Sequence, residues 1–336
     1  MKKQIRYKYI VLLILIVLAG CHDNAKEDMP PVGQVPEVRQ PQNEQVEIPA
    51  AADRTYTETI ISKADPKIQL EGLIQLDGAI VYRDGNRFVD VENGAVIYEL
   101  TEADLAGKRP EQYAYGASWS GTDLIMVIND DQTGKLMAKT VALHGEQEST
   151  VVELKGWSGT PVKVLGGIGD PYYHFPKILM DENYIYVRWA FDHADKGRIF
   201  KLTVFTKNGD FHMETECADF DIDGNGDLYT SEYNTQIYRW NVAERKRQSA
   251  GNIKRTYEYN ALALDVDEDS NTMYVLTKYN LDSYSAEDCS RLEIVMPREG
   301  NMIDNWSVQP DSMIVLDRNT IYMRADENIF KYCRIK

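Results

Sequence analysis

The chain has 336 residues, and its 53 acidic and 37 basic side chains give a formal net charge of −16. A chain this acidic repels nucleic acid through its overall field, so we expect no nucleic-acid partner. Its four cysteines are too few for a dense disulfide framework, and a large hydrophobic core must supply the stability instead. Whether Cys217, Cys289 and Cys333 form one disulfide is left open by the sequence.

The N-terminus has the features of a secretory signal at residues 1–20. Four basic residues precede an apolar run from Ile10 to Leu18, which is too short to span a bilayer. The run ends in Leu18-Ala19-Gly20-Cys21, which resembles the lipobox of bacterial lipoproteins. This resemblance implies cleavage before Cys21 and a lipid such as palmitate on that residue. We therefore expect anchoring to a cell membrane, facing outside the cytoplasm; an ordinary secretory signal is the alternative.

Residues 21–54 are predicted to form a disordered tether. After Cys21 they contain five of the twelve prolines and no Phe, Trp or Tyr. Such a segment cannot bury enough apolar surface to offset the entropy of ordering it. As a random coil it would hold the next domain about 30 Å from the membrane on average. The folded domain is predicted to occupy residues 55–336.

Strand patterns dominate this domain, and they recur in a regular unit of alternating strand, turn and further strands. Equivalent positions in the six units are Val81, Ile125, Tyr186, Tyr229, Tyr274 and Tyr322. Their spacings of 44, 61, 43, 45 and 48 residues match the period of a β-propeller blade. The prediction is an all-β, six-bladed β-propeller, and the 61-residue spacing leaves seven blades open. A β-sandwich is the alternative, but it would not explain the period.

The fourth unit carries a family resemblance. Residues 223–229 (DGNGDLY), followed by residues 237–240 (IYRW), resemble the NHL and YWTD repeats of TolB-like six-bladed propellers. The resemblance implies a binding or scaffold role. Some members of the group are metal-dependent lactonases with carboxylate and Asn ligands in the central channel. Asp219 and Asp221 would share a strand face there, but the remaining ligands have no match in this sequence.

The two ends of the domain are predicted to close the ring. The last unit ends after its third strand, and residues 56–61 alternate like an edge strand. We expect this segment to complete the last blade, because pairing would cover an open sheet edge.

The longest connections all fall on one face of the predicted disc, and loops longer than their neighbours tend to carry function. We predict a ligand surface there for a protein, peptide or carbohydrate, since aromatic rings beside carboxylates suit sugars or cationic side chains. Its residues are Trp157, Tyr172, Tyr173, His174, Trp189, His193, Tyr279 and Tyr284. The alternative is that these side chains pack beneath the loops.

The turn of the fourth unit suggests a partial calcium site at Asp221, Asp223, Asn225 and Asp227. A complete EF-hand is excluded, because a strand would carry Glu232 roughly 13 Å beyond Leu228. Ordinary turn chemistry, with carboxylates capping nearby backbone N–H groups, is the favoured interpretation. We therefore predict no cofactor, with Ca²⁺ as the alternative.

Catalytic residues are not predicted, because no nucleophile motif accompanies His174 and His193. The expected function is that of a lipid-anchored, monomeric binding or scaffold module. The alternatives are a metal-dependent hydrolase similar to the lactonases and an envelope-assembly factor.

Overall fold

The computed structural model describes residues 56–63, 72–130, 133–144, 149–156, 177–193, 197–232, 236–253, 261–267, 269–277, 281–296, 310–325 and 328–335. All of them belong to the compact unit Glu47–Lys336. The predicted signal, Cys21 and the whole of the predicted tether therefore lie outside the described residues. No helix in the described ranges is both long and apolar enough to cross a bilayer.

The described strands form four antiparallel sheets of four strands each and one sheet of eight strands, which comprises two blades. The first strand in the chain is β1 (Tyr56–Lys63). Blade 1 contains β2 (Ile74–Leu76), β3 (Ala79–Asp84), β4 (Arg87–Asp90) and β5 (Val96–Glu99). Blade 2 contains β6 (Ala114–Ser118), β7 (Asp123–Asp130), β8 (Lys135–Ala142) and β9 (Thr150–Glu153). Blade 3 contains β10 (Lys177–Met180), β11 (Tyr184–His193), β12 (Gly197–Thr206) and β13 (Phe211–Glu216). Blade 4 contains β14 (Asp219–Ile222), β15 (Leu228–Ser231), β16 (Gln236–Asn241) and β17 (Lys246–Asn252). Blade 5 contains β18 (Ala261–Asp267), β19 (Thr272–Thr277), β20 (Leu281–Ser285) and β21 (Arg291–Met296). Blade 6 contains β22 (Pro310–Asp317), β23 (Thr320–Ala325) and β24 (Asn328–Arg334), together with β1.

Blades 1 and 2 are connected by a segment that contains one short helix, α1 (Glu102–Leu105), and a 3₁₀ turn at Pro110–Gln112. Thr101 caps α1, since its hydroxyl accepts a hydrogen bond from the backbone N–H of Asp104 at 3.1 Å.

Alternate residues of a central strand pack against opposite neighbouring blades. In β19, Met273 and Val275 belong to one core cluster, whereas Tyr274 and Leu276 belong to the next. A strand buried on both faces in this way has a continuous hydrophobic run, as β19 has from Met273 to Leu276. Sheets that pack face to face around an axis in this manner form an all-β propeller.

The innermost strands meet directly between blades 2 and 3. Here β6 and β10 pair in parallel, with Leu179 opposite Ala117, and this pairing joins two blades into one eight-stranded sheet. Gly116 makes the close approach feasible, because a Cβ at this position would lie 2.1 Å from the carbonyl oxygen of Ile178. Any side chain at Gly116 would therefore push the two blades apart.

The predicted ring closure is confirmed. Strand β1 pairs antiparallel with β24, from Tyr56 opposite Arg334 to Lys63 opposite Asn328. The last blade thus has the order β1-β24-β23-β22, with the N-terminal strand outermost. On the inner side, the backbone N–H of Leu73 donates to Ser312 Oγ at 2.8 Å and links blade 1 to blade 6.

The described residues contain six four-stranded blades, in agreement with the predicted repeat. The 61-residue spacing between the second and third units contains residues 157–176, which lie outside the described residues. For the complete domain, six blades therefore stays a prediction.

The described cysteines, Cys217, Cys289 and Cys333, are all free. Burial raises the pKa of the Cys217 thiol to about 12 and that of Cys289 to about 11. Because the thiolate is the reactive form, both side chains are chemically inert at neutral pH.

Candidate functional site

An axial cavity of about 180 Å³ lies where the innermost strands converge, and all six blades contribute to its wall. The wall has two different sides. Blades 3 to 5 present the charged residues Lys177, Arg188, Asp219, Asp221 and Asp265. Blades 1, 2 and 6 present mainly apolar or small residues, among them Ile74, Ala117 and Ile314. A molecule in this cavity would meet polar groups on one side and apolar surface on the other.

Asp219 is held between two cations. Its Oδ1 atom accepts a hydrogen bond from Arg188 Nη1 at 3.0 Å, and its Oδ2 atom lies 3.3 Å from Lys177 Nζ. Lys177 also donates to the carbonyl oxygen of Leu264 at 3.1 Å. Burial opposes the charge on Lys177, but Asp219, Asp221 and Asp265 together raise its pKa above the ordinary lysine value. Lys177 is therefore a fixed cation of the cavity wall.

The two cations differ in their access to the cavity. The Lys177 side chain keeps 25% of its surface exposed, whereas Arg188 and Asp219 keep 7% and 4%. Lys177 is thus the cation that a ligand can reach.

The three carboxyl groups also connect the blades. Oδ2 atoms of Asp219 and Asp221 accept hydrogen bonds from the backbone N–H groups of Leu264 and Val266, both at 2.8 Å. Asp265 repeats the arrangement one blade further on and accepts from Val315 N at 3.0 Å. The side chains thereby satisfy N–H groups of inner strands that do not pair directly with one another.

Asp221 and Asp265 are neighbours in the cavity wall. Burial raises the pKa of both carboxyl groups, and the nearby charge of Asp221 raises that of Asp265 further, well above its ordinary value. A hydrogen bond between the two side chains raises the pKa of Asp265 and lowers that of Asp221. Asp265 therefore holds a proton more tightly than an ordinary aspartic acid does.

Trp119 is an exposed aromatic residue in the lining of the same cavity. Trp119 follows β6 in the turn that leads to β7, and its backbone N–H donates to the carbonyl oxygen of Met180 at 2.7 Å. Its side chain is 49% exposed, which is unusual for so large an apolar group. The sequence did not single out Trp119, because it lies in a short turn on the face opposite the long connections.

Most of the predicted aromatic surface cannot be placed. Trp157, Tyr172, Tyr173, His174 and Tyr279 lie outside the described residues, and for His193 only the backbone at the end of β11 is described.

The two described members of that set are buried. Trp189 is 3% exposed, and its indole N–H donates to Thr203 Oγ1 at 2.9 Å. Tyr284 is 2% exposed and belongs to a core cluster of blade 5. In this structure both rings contribute to packing and leave no free face to a ligand.

The predicted calcium ligands are engaged in other contacts. Asp223 Oδ1 accepts hydrogen bonds from the backbone N–H groups of Asn225 at 3.0 Å and Asp227 at 2.9 Å. Asp227 in turn pairs with Arg239, whose Nε lies 3.0 Å from its Oδ2 atom, while Asp221 belongs to the axial cavity. Within the described ranges, no three His, Cys, Asp or Glu side chains are grouped to hold a metal ion.

Comparisons with known proteins add little beyond this geometry. No family model matches the chain, and no curated protein matches it. Among solved structures, the nidogen/laminin complex is 12% identical, with 75% of this chain and 84% of that chain covered and a TM-score of 0.42. Hsv2 of Kluyvelomyces marxianus is 11% identical, with 79% and 73% covered and a TM-score of 0.48. The computationally designed Ika8 protein is 11% identical, with 76% and 80% covered and a TM-score of 0.42. Similarities at this level carry no functional argument, so the fold assignment rests on the strand topology.

Proposed function

We propose that this chain is a lipid-anchored, extracytoplasmic β-propeller that binds a ligand in its axial cavity. The observation that carries the proposal is the charged wall formed by Lys177, Asp219, Asp221 and Asp265. The three carboxyl groups also accept hydrogen bonds from inner-strand N–H groups, so they have a structural role as well. Lys177, however, keeps a quarter of its side-chain surface exposed beside them, and this polar surface is available to a ligand.

The anchor is proposed from the sequence alone. Replacement of Cys21 by Ser removes the thiol that would carry the lipid, so Cys21→Ser should abolish incorporation of an alkyne-tagged palmitate. It should also move the protein from the membrane fraction to the soluble fraction, because an acidic chain has no electrostatic attraction to anionic headgroups. Undiminished labelling of Cys21→Ser would rule out this anchor.

The binding role predicts ligand-dependent stability that depends on Lys177. Full-length protein in detergent is heated with panels of saccharides, amino acids, short peptides and divalent cations. A ligand at a hundred times its dissociation constant stabilises the folded state by about 2.7 kcal/mol, which is a rise of about 4–8 °C in melting temperature. Lys177→Met should lose this rise, because the methionine keeps the length of the side chain but not its charge.

Lys246→Met is the matched control, since the Lys246 side chain is 76% exposed on an outer strand and faces no cavity. It should respond to the ligand as the unaltered protein does. Equal responses of both variants would place the ligand elsewhere. A rise produced only by a divalent cation would favour the metal-dependent hydrolase instead, because the cavity holds carboxyl groups.

A further inference from the structure

We propose that the ligand of the axial cavity is a neutral saccharide, one ring of which enters beside Trp119. This inference rests on the proposed binding function and narrows it to one chemical class. It follows from the pairing of the charged groups in the cavity, the kinds of polar groups on its wall and the half-exposed side chain of Trp119 among its lining residues.

The charged groups of the cavity already have partners within its wall. Asp219 pairs with Lys177 at 3.3 Å and with Arg188 at 3.0 Å. Asp221 and Asp265 accept hydrogen bonds from the backbone N–H groups of Val266 and Val315. A charged ligand would have to leave water without a free counter-charge, which is costly. A neutral ligand avoids that cost.

The polar groups of the wall include both donors and acceptors. Lys177 donates, and the carboxyl oxygens of Asp221 and Asp265 accept. Gln75 and Ser118 add an amide and a hydroxyl to the lining. Sugar hydroxyl groups each donate and accept, so a polyhydroxylated ring can satisfy such a mixed set.

The rest of the cavity suits the apolar faces of a sugar ring. Trp119 offers a broad, rigid and half-exposed surface with few rotatable bonds, and Ile74, Ala117 and Ile314 line the same cavity. A pyranose has C–H groups on its faces and hydroxyl groups around its edge. It can therefore stack on the indole and direct hydroxyl groups toward Lys177 and the Asp221–Asp265 pair.

The test is calorimetric titration of the full-length protein in detergent with glucose, galactose, mannose, N-acetylglucosamine and cellobiose. Glucuronate and glucosamine serve as charged counterparts. We expect at least one neutral sugar to bind, and its charged counterpart to bind about tenfold more weakly or not at all. Trp119→Ala should weaken the binding of the neutral sugar by about tenfold or more, because it removes the aromatic surface on which the ring stacks.

Two further variants separate the role of the ring from general effects of substitution. Trp119→Phe keeps an aromatic face and should retain affinity within about threefold, because a smaller ring can still stack. Phe211→Ala removes another exposed ring, on β13 at the outer edge of blade 3, and should leave affinity unchanged. Because Trp119 is half exposed, its removal should leave the melting temperature nearly the same.

The outcomes distinguish this inference from the proposed function. If peptides or amino acids bind in a Lys177-dependent manner and no neutral sugar does, the binding function stands and the saccharide inference fails. If a sugar binds equally well to Trp119→Ala, the inference also fails. If no ligand class stabilises the protein, the proposed binding function fails as well.

Discussion

A chain without residues 56–63 is expected to melt at least about 10 °C below the intact protein, because the last blade would lose its outermost strand. Tyr56 is 3% exposed and packs in the same core cluster as Phe330 and Tyr332. Its hydroxyl also donates to the carbonyl oxygen of Arg318 at 2.8 Å. Loss of a buried aromatic side chain alone lowers the free energy of unfolding by about 3–5 kcal/mol. The deletion would in addition leave the edge of β24 unpaired and prone to association.

A control deletion of residues 35–42 removes the same number of residues from the predicted tether and should not change the melting temperature. Tyr56→Phe should lower the free energy of unfolding by only about 1 kcal/mol, because it removes one hydrogen bond and keeps the packed ring. A synthetic peptide with the sequence of β1 should partly restore the melting temperature of the shortened chain. If deleting 56–63 has no more effect than deleting 35–42, the closure contributes nothing to stability.

The sequence was a good guide to the fold because the blade repeat is a local pattern. Within one unit, the alternation of residues 220–223 and the following turn specify a hairpin directly, and Phe220 and Ile222 do enter the core. The closure was predictable for a related reason: an alternating strand preceded the first unit and the last unit had only three strands.

The site was less predictable because its residues come from different blades. Asp221 meets Val266, 45 residues away, and Asp265 meets Val315, 50 residues away. In the sequence each of these side chains is only one polar residue of an alternating strand, and nothing local indicates that they converge on the axis. A search for charged residues on the inner faces of the first strands would have found Lys177 and Asp265.

The burial of Trp189 and Tyr284 shows a second limit of the sequence. Both were assigned to a surface because of their place in or near long connections, yet Trp189 lies within β11 and Tyr284 within β20. Both faces of a blade pack against neighbouring blades, so a ring on either face of such a strand is buried. Proximity to a loop was therefore a poor criterion for exposure.

Asp282→Asn is expected to stabilise the protein by about 2–4 kcal/mol at pH 7.5 and to have almost no effect at pH 3.5. Asp282 is 3% exposed in β20, and its Oδ1 atom has no hydrogen-bond partner among the described residues. Burial raises the pKa of this carboxyl group from 3.8 to about 6, although the charge of Arg291 and a hydrogen bond from Tyr284 oppose the shift. The raised pKa means that the folded state binds the proton more tightly than the unfolded state does.

The unaltered protein should therefore lose stability as the pH rises from about 4 to about 6, since Asp282 must ionise within the core. Asparagine remains neutral and removes this part of the pH dependence, which urea unfolding at pH 3.5, 5.0, 6.0 and 7.5 would measure. Asp269→Asn is the matched control, because it removes the same charge from an exposed turn of the same blade. If the free energy of unfolding of Asp282→Asn still falls as the pH rises, the remaining pH dependence comes from other groups with raised pKa values, foremost Asp265. If Asp282→Asn and Asp269→Asn have equal effects at pH 7.5, the Asp282 carboxylate is not destabilised by its burial.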